Sequence, residues 1–196
     1  MKSIVQKENP VLRQIAQEVP LKDISSAKIK KIIREMKAML ATQADGVAIA
    51  APQIGYSVRI FVVAGKIFED DFRRQGDEHI EKSKEPKPED LVFINPVILK
   101  VSKAKKWMYE GCLSVRPLWG EVNRSLNATI TAYDENGTKI TRGAGGLLAH
   151  IFQHETDHLD GILFIDKARH VAPGEVPEPI TSPIKTKKKA KVSAKK

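Results

Sequence analysis

His154-Glu155-Thr156-Asp157-His158 lies at the end of an apolar-periodic run, Leu147, Leu148, Ile151 and Phe152, and its reading decides how the rest of the chain is understood. The apolar spacing predicts a helix over residues 144–159, with Gly161 as the stop. Residues four apart on a helix project from one face about one turn from each other. Two imidazoles placed so can chelate a single divalent metal. Glu155 lies about 60° around the helix from His158, at roughly 100° per residue, so its carboxylate reaches a metal-bound water. Such a carboxylate is the usual general base of metal-assisted hydrolysis. The same five residues also suit a solvated polar face, so the decision rests on partners elsewhere in the chain.

Catalytic metal sites typically keep three protein ligands and leave one position open. The longer protease signature would place a third His six residues after the second, but that position is Phe164. The downstream carboxylates Glu175 and Glu178 stand among prolines in a stretch that reads as unfolded. Both protease patterns fit poorly. The chain has one cysteine, Cys112, within Glu110-Gly111-Cys112-Leu113-Ser114. A lone Cys makes no internal disulfide and points to a reducing compartment. The preceding glycine lets the backbone bend and turn the thiolate toward a metal. Two readings stay open here: a small buried hydrophobe, or the sulfur of an open Cys-His-His site.

A third segment, Gly46-Val47-Ala48-Ile49-Ala50-Ala51-Pro52-Gln53, follows the first predicted helix. Its small side chains allow a backbone or ligand to come close, and Pro52 biases Ala51 to an extended conformation. Gln53 offers an amide N–H₂ that can donate to a developing oxyanion. Plain packing beside a strand explains the small residues equally well.

Taken in order, Gly46-x-Ala48-x-Ala50-Ala51-Pro52-Gln53, Glu110-Gly111-Cys112-Leu113-Ser114 and Gln153-His154-Glu155-x-Asp157-His158-Leu159-x-Gly161 resemble the motif set of peptide deformylases. The similarity runs from about Ile4, through Asn9-Pro10-Val11-Leu12-Arg13, to about Asp166. The resemblance implies an α+β fold, with antiparallel β-sheets around a central helix that carries the HExxH motif. It implies that Cys112, His154 and His158 hold one divalent metal, most often ferrous iron, which zinc, nickel or cobalt can replace. Glu155 would act as general base and then acid for attack by metal-bound hydroxide. Gln53 and the backbone N–H of Leu113 would stabilise the tetrahedral intermediate, with Gly46, Val47, Ala48 and Gly111 against the substrate. The substrate would be the N-terminal formyl-methionine of nascent polypeptides, cleaved to formate and a free amino terminus.

Three positions depart from the family pattern. Ala48 stands where a second Gly is usual, and its methyl is expected to narrow the cleft. Arg116-Pro117-Leu118-Trp119 replaces the usual Pro-Gly-x-Arg, which leaves Arg116 as the candidate for the missing peptide contact. His150 stands where an Arg is common and reads as a surface residue or a support to a ligand rather than a ligand itself.

At 196 residues the chain suits one well-buried domain, and a hydrophobic content of 41% fits a globular class. No stretch approaches the ~20 apolar residues of a membrane span. The family-like sequence begins almost at Met1, so no transit peptide is expected and the compartment reads as a bacterial-type cytoplasm. Ile29, Ile32, Ile33, Met36, Met39 and Leu40 predict a helix over 26–42, capped by Ser25 or Ser26. Strands are expected at 57–64, 91–99, 105–110, 120–124, 127–134 and 137–142, the last two flanking the turn Asp134-Glu135-Asn136-Gly137. Ile162-Leu163-Phe164-Ile165 reads as a final buried strand.

The expected organisation is a catalytic domain over 1–170, carrying a charged insertion at about 66–90, and a tail over 171–196. The insertion holds 15 charged residues in 25, and its His79 is not expected to bind metal. The tail holds seven Lys and two Glu, so +5 of the net +9 sits there, with four Pro and too little apolar surface to fold alone. It reads either as a solubilising extension or as a basic arm touching ribosomal RNA without sequence preference. An HExxH peptidase and a nucleic-acid-binding module with a structural metal are the rival functional classes.

Overall fold

The computed structural model describes residues 2–69 and 88–174. Most of the charged insertion, with His79, and the basic arm, with Glu175 and Glu178, lie outside these residues.

Helix α1 spans Ala27–Ala41, and the Ser26 Oγ accepts from the Ile29 N–H at 3.3 Å, satisfying one orphan donor of its first turn. Five residues of its predicted stripe are buried, Ile29, Ile32, Ile33, Met36 and Leu40, while Met39 is partly buried against them. A second helix, α2, spans Gly146–Leu159 and therefore contains His154, Glu155 and His158. Eight strands accompany these helices among the described residues: β1 Ala48–Ala50, β2 Ile60–Val63, β3 Leu91–Val101, β4 Lys105–Gly111, β5 Leu118–Ser125, β6 Asn127–Tyr133, β7 Lys139–Gly145 and β8 Arg169–Pro173. They form a five-stranded antiparallel sheet, in order β1-β2-β3-β6-β7, and a three-stranded one, β4-β5-β8.

Strand alternation sorts the core into two layers. Ile60 and Val62 of β2, with Val92 and Ile94 of β3, pack with the apolar stripe of α1. Phe61 and Val63, with Phe93, pack with Leu147, Leu148, Ile151 and Phe152 of α2. Both faces of the sheet are thus covered here, which is why Ile60-Phe61-Val62-Val63 reads as an unbroken apolar run. Phe61 stacks on Phe93 at 4.7 Å between ring centroids, and Phe152 meets Phe93 edge-on at 5.2 Å. That aromatic cluster anchors α2 on the sheet and so fixes the height of its last two turns.

Gly161 ends α2 with φ +75, and a Cβ there would come within 2.8 Å of the Arg13 carbonyl oxygen. The left-handed conformation and the close approach both require glycine. Beside it, the Ala16 N–H donates to the Leu159 carbonyl at 2.8 Å and ties the N-terminal segment to the helix end.

Three sequence expectations need correction. Ile162-Leu163-Phe164-Ile165 is not a strand: Phe164–Asp166 form a single 3-10 turn, with the Asp166 carboxylate accepting from the Leu163 N–H at 2.9 Å. Leu163 and Phe164 are buried beside Leu12 and Val122, and a four-residue apolar run cannot distinguish a buried turn from a strand. The last strand is β8 instead, and its pairing with β5 carries regular structure to Pro173, past the boundary expected at 170. An edge strand needs backbone partners rather than an apolar face, so composition could not reveal it. Ala48–Ala50, where no strand was expected, form an edge strand paired to β2, with Ala48 opposite Val63.

Candidate metal centre

β4 delivers Gly111 and, one residue later, Cys112. α2 delivers His154 and His158. The Cys112 Sγ lies 3.1 Å from the His158 Nε2, and candidate ligand atoms of Cys112, His154 and His158 all fall within 4.8 Å of one another. The two imidazole rings stand nearly perpendicular, 4.9 Å apart at 77°. Residues separated by over forty positions in sequence therefore converge as expected.

The donor set fits a divalent metal. One thiolate and two imidazoles suit zinc or ferrous iron and leave a position open. Glu155 is buried beside them, and its Oε2 has no hydrogen-bond partner. A buried carboxylate oxygen without a partner is costly unless a cation or a water completes it.

Gln53 is held from both ends. Its Oε1 accepts from the Ala50 N–H at 2.7 Å, while its Nε2 lies 3.4 Å from the Cys112 Sγ and 3.3 Å from the Ser114 Oγ. The donor expected for an oxyanion thus stands against the candidate ligand sulfur. The Leu113 carbonyl accepts from the Gln6 Nε2 at 3.2 Å, which holds the Leu113–Ser114 peptide, one peptide beyond the Leu113 N–H. Gly46 and Val47 lead into β1. The Ala48 methyl packs in the core with Phe61 and Ala50, so this side chain is largely occupied by core contacts. Gly111, at the end of β4, pairs with Trp119.

The other two departures also have defined places. Arg116 is engaged by Asp45 at 2.6 Å and Gln43 at 3.2 Å, and Trp119 packs edge-on against Tyr109 at 5.3 Å. His150 is buried, and its Nε2 lies 2.6 Å from the Glu110 Oε1. It is therefore not a surface residue, and its partner is the carboxylate that also meets His154.

Sequence reasoning gave no role to the charged residues beneath the ligands. Glu110 Oε2 receives the His154 Nδ1 at 2.8 Å, which leaves the His154 Nε2 for a metal. Arg124, from β5, clamps Glu110 with two bonds, 2.6 and 3.1 Å, and reaches Asp157 at 2.6 Å. Glu110 is only 2% exposed and Arg124 4%, so this ion pair is a buried one. Glu110 stood within a quoted motif, but Arg124 carried no local signal: it becomes visible only once β5 is paired to β4.

The electrostatics follow from burial and these contacts. Burial raises the Glu155 carboxyl to about 7, against the opposing pull of His154. Burial also works to raise Glu110, but hydrogen bonds from His150 and His154 outweigh it and hold the group well below the usual carboxylate range. For His154 burial favours the neutral ring, yet its bonds to Cys112 and Glu110 win and raise it well above 6.5. Burial, then the neighbouring His154, pushes His158 far below 6.5 and keeps it a neutral donor.

Residues 1–173 match the family model described as polypeptide deformylase. Peptide deformylase 1A, chloroplastic, of Solanum lycopersicum is 39% identical over 168 residues, which cover 85% of this chain and 59% of that one. The peptide deformylase of Desulforudis audaxviator is 34% identical over 171 residues, covering 84% and 92% respectively. The Met-Ala-Ser-bound class I type b peptide deformylase from Acinetobacter baumannii superposes with a TM-score of 0.70 at 29% identity, covering 85% of this chain and 98% of that one. The chain spans about three-fifths of the length of the plant relatives it matches. None of the described helices is long and apolar enough to cross a membrane. The match across nearly the whole described chain, with the candidate ligand residues converging in space, makes this chain a member of the polypeptide deformylase family.

Proposed function

We propose that this chain is a peptide deformylase that hydrolyses the formyl group from the N-terminal formyl-methionine of nascent polypeptides. The observation that carries the reading is the convergence of Cys112, His154 and His158 beside a buried carboxyl, Glu155, whose pKa is raised to about 7. A general base works best with a pKa near the operating pH.

Cys112, His154 and His158 would hold the metal, with ferrous iron as the proposed occupant. A divalent ion held there lowers the pKa of a bound water and polarises a carbonyl oxygen. Glu155 accepts a proton from the attacking water and returns it to the departing amine, which leaves poorly unless protonated. Gln53, fixed by the Ala50 N–H, points its amide at the developing oxyanion, and the Leu113 N–H is its proposed second donor. Val47 and Ala48 stand at or beside β1, and Gly111 ends β4; both are terminal strands in the order of their sheets. Such edges accept an extended peptide by strand addition, with Gly111 leaving room for its backbone; a Cβ at Gly46 would meet Gln43 at 2.8 Å, so that glycine serves the turn into β1. On this reading α2 is the central scaffold of the fold, residues 1–173 form the catalytic domain, and the charged stretch at 66–90 is an insertion within it.

The remaining basic residues, 175–196, are proposed to neutralise ribosomal RNA phosphates without sequence preference. A single cysteine serving as a thiolate ligand suits a reducing, cytoplasm-type compartment. The test is formate release from a formyl-Met peptide by protein purified without oxygen and loaded with ferrous iron or zinc. Release with iron, and none from the unformylated peptide, is expected. Cleavage of internal bonds in unformylated peptides would replace the reading with a peptidase. Removing residues 175–196 should spare activity on short peptides and weaken salt-sensitive binding to ribosomes.

A further inference from the structure

His150 lies one helical turn before His154 on α2 and is 4% exposed. Its Nε2 is 2.6 Å from the Glu110 Oε1, and the other oxygen of the same carboxylate, Oε2, is 2.8 Å from the His154 Nδ1. Arg124 completes the set, its Nε at 2.6 Å from Oε1 and its Nη2 at 3.1 Å from Oε2. Each carboxylate oxygen therefore takes two donors, one from Arg124 and one from an imidazole. The His150 Nδ1 is buried and has no partner, so Nε2 is the ring atom that meets Glu110, as its donor.

We propose that His150 is a positioning residue for metal binding: its bond to Oε1 fixes the rotation of the Glu110 carboxylate, so that Oε2 holds the His154 ring with Nε2 turned to the metal. Arg124 forks onto both oxygens and also pairs with Asp157 at 2.6 Å; the His150 bond is the added restraint on Oε1, and on this proposal its loss lets the carboxylate shift toward the guanidinium and loosen its hold on His154. The plain alternative is that His150 merely fills a buried space and satisfies its own ring. The two differ in what they do to the metal, because partners behind a ligand typically set affinity by roughly 10- to 100-fold.

The inference rests on the metal site proposed above, and its test reads the metal rather than the reaction. Cobalt(II) is bound to the full chain, and its affinity, by chelator competition, and its visible absorption bands are compared among His150 variants. His150→Leu removes the donor, whereas His150→Gln puts an amide N–H₂ near the position of the imidazole Nε2. The expected result is a 10- to 100-fold weaker cobalt site with altered bands in His150→Leu, largely restored in His150→Gln. Unchanged affinity and bands in His150→Leu, with only a lower melting temperature, would overturn the proposal. Equal losses in both variants would overturn it too, since the donor would then be irrelevant. If His150→Leu does not fold, His150→Asn replaces it: its shorter amide falls short of Glu110 and should bind cobalt more weakly than His150→Gln. A tight cobalt site that releases no formate would instead sink the deformylase reading and leave this one standing.

Discussion

The Gln53 side chain and the Ala50 backbone are locked together at 2.7 Å, the amide oxygen of one accepting from the N–H of the other three residues earlier. This bond settles which end of the amide faces the metal centre, because the oxygen is already taken and only the N–H₂ remains to donate. Removal of one such donor typically costs about 3 kcal/mol of barrier, or 10²- to 10³-fold in kcat. Gln53→Ala should show that loss at unchanged metal content, measured by formate release and metal analysis on one preparation. A drop confined to KM would assign Gln53 to ground-state binding instead.

Glu155 titrates in the wrong direction for stability. Its folded pKa, about 7, lies above the ordinary 4.5, so the folded metal-free chain binds this proton more tightly than the unfolded one. Its contribution to stability is present at low pH and is lost as the pH rises through about 7. Glu155→Gln should therefore stabilise the metal-free protein by about 3 kcal/mol at pH 8, with the gain shrinking toward pH 5. Urea unfolding at the two pH values measures it. The same variant, loaded with metal, should lose turnover while keeping its ion.

Arg124 neutralises Glu110 inside the protein, where a carboxylate left alone is costly. Arg124→Met should destabilise by roughly 3–5 kcal/mol, lowering the melting temperature by about 10 °C in a chain of this size. The double variant Arg124→Met with Glu110→Gln should recover part of that loss, since most of it comes from the stranded charge. A cost for the single variant below 1 kcal/mol would mean that water reaches Glu110.

Metal binding should release protons. His154 is held well above 6.5 by Cys112 and Glu110, yet a ligand imidazole must be neutral. Titrating zinc into the metal-free protein, in buffers of different ionisation enthalpy, should report proton release near neutral pH. Affinity should fall as the pH is lowered. Chelation should lower the melting temperature, because only the folded chain assembles the site.

Much of this centre was legible in the chain because its chemistry is local. The His154/His158 spacing needs only a helix, and the helix needs only the stripe from Leu147 to Phe152. Cys112 was legible by type and by its glycine, although its meeting with His158 depends on how β4 is placed. Of the residues behind the ligands, His150 was read as a surface residue or a support, but Glu110 and Arg124 were given no role. Arg124 gains its meaning from the β4–β5 register that sets Glu110 opposite Gly120, and from α2 bringing Asp157 to its other side. β8 escaped notice because backbone pairing made it a strand without an apolar pattern, whereas Ile162–Ile165 had the pattern and became a turn.

The described chain leaves β8 with the Gly174 N–H donating to the Pro117 carbonyl at 2.9 Å, five residues beyond Cys112 in the same loop region. The 22 residues that follow carry seven lysines and two glutamates. Their point of attachment, Gly174, is thus bonded to the loop that follows Cys112. If the proposed function holds, an anion gripped by those lysines would meet that loop at raised local concentration, since tethering turns a second encounter into an intramolecular one.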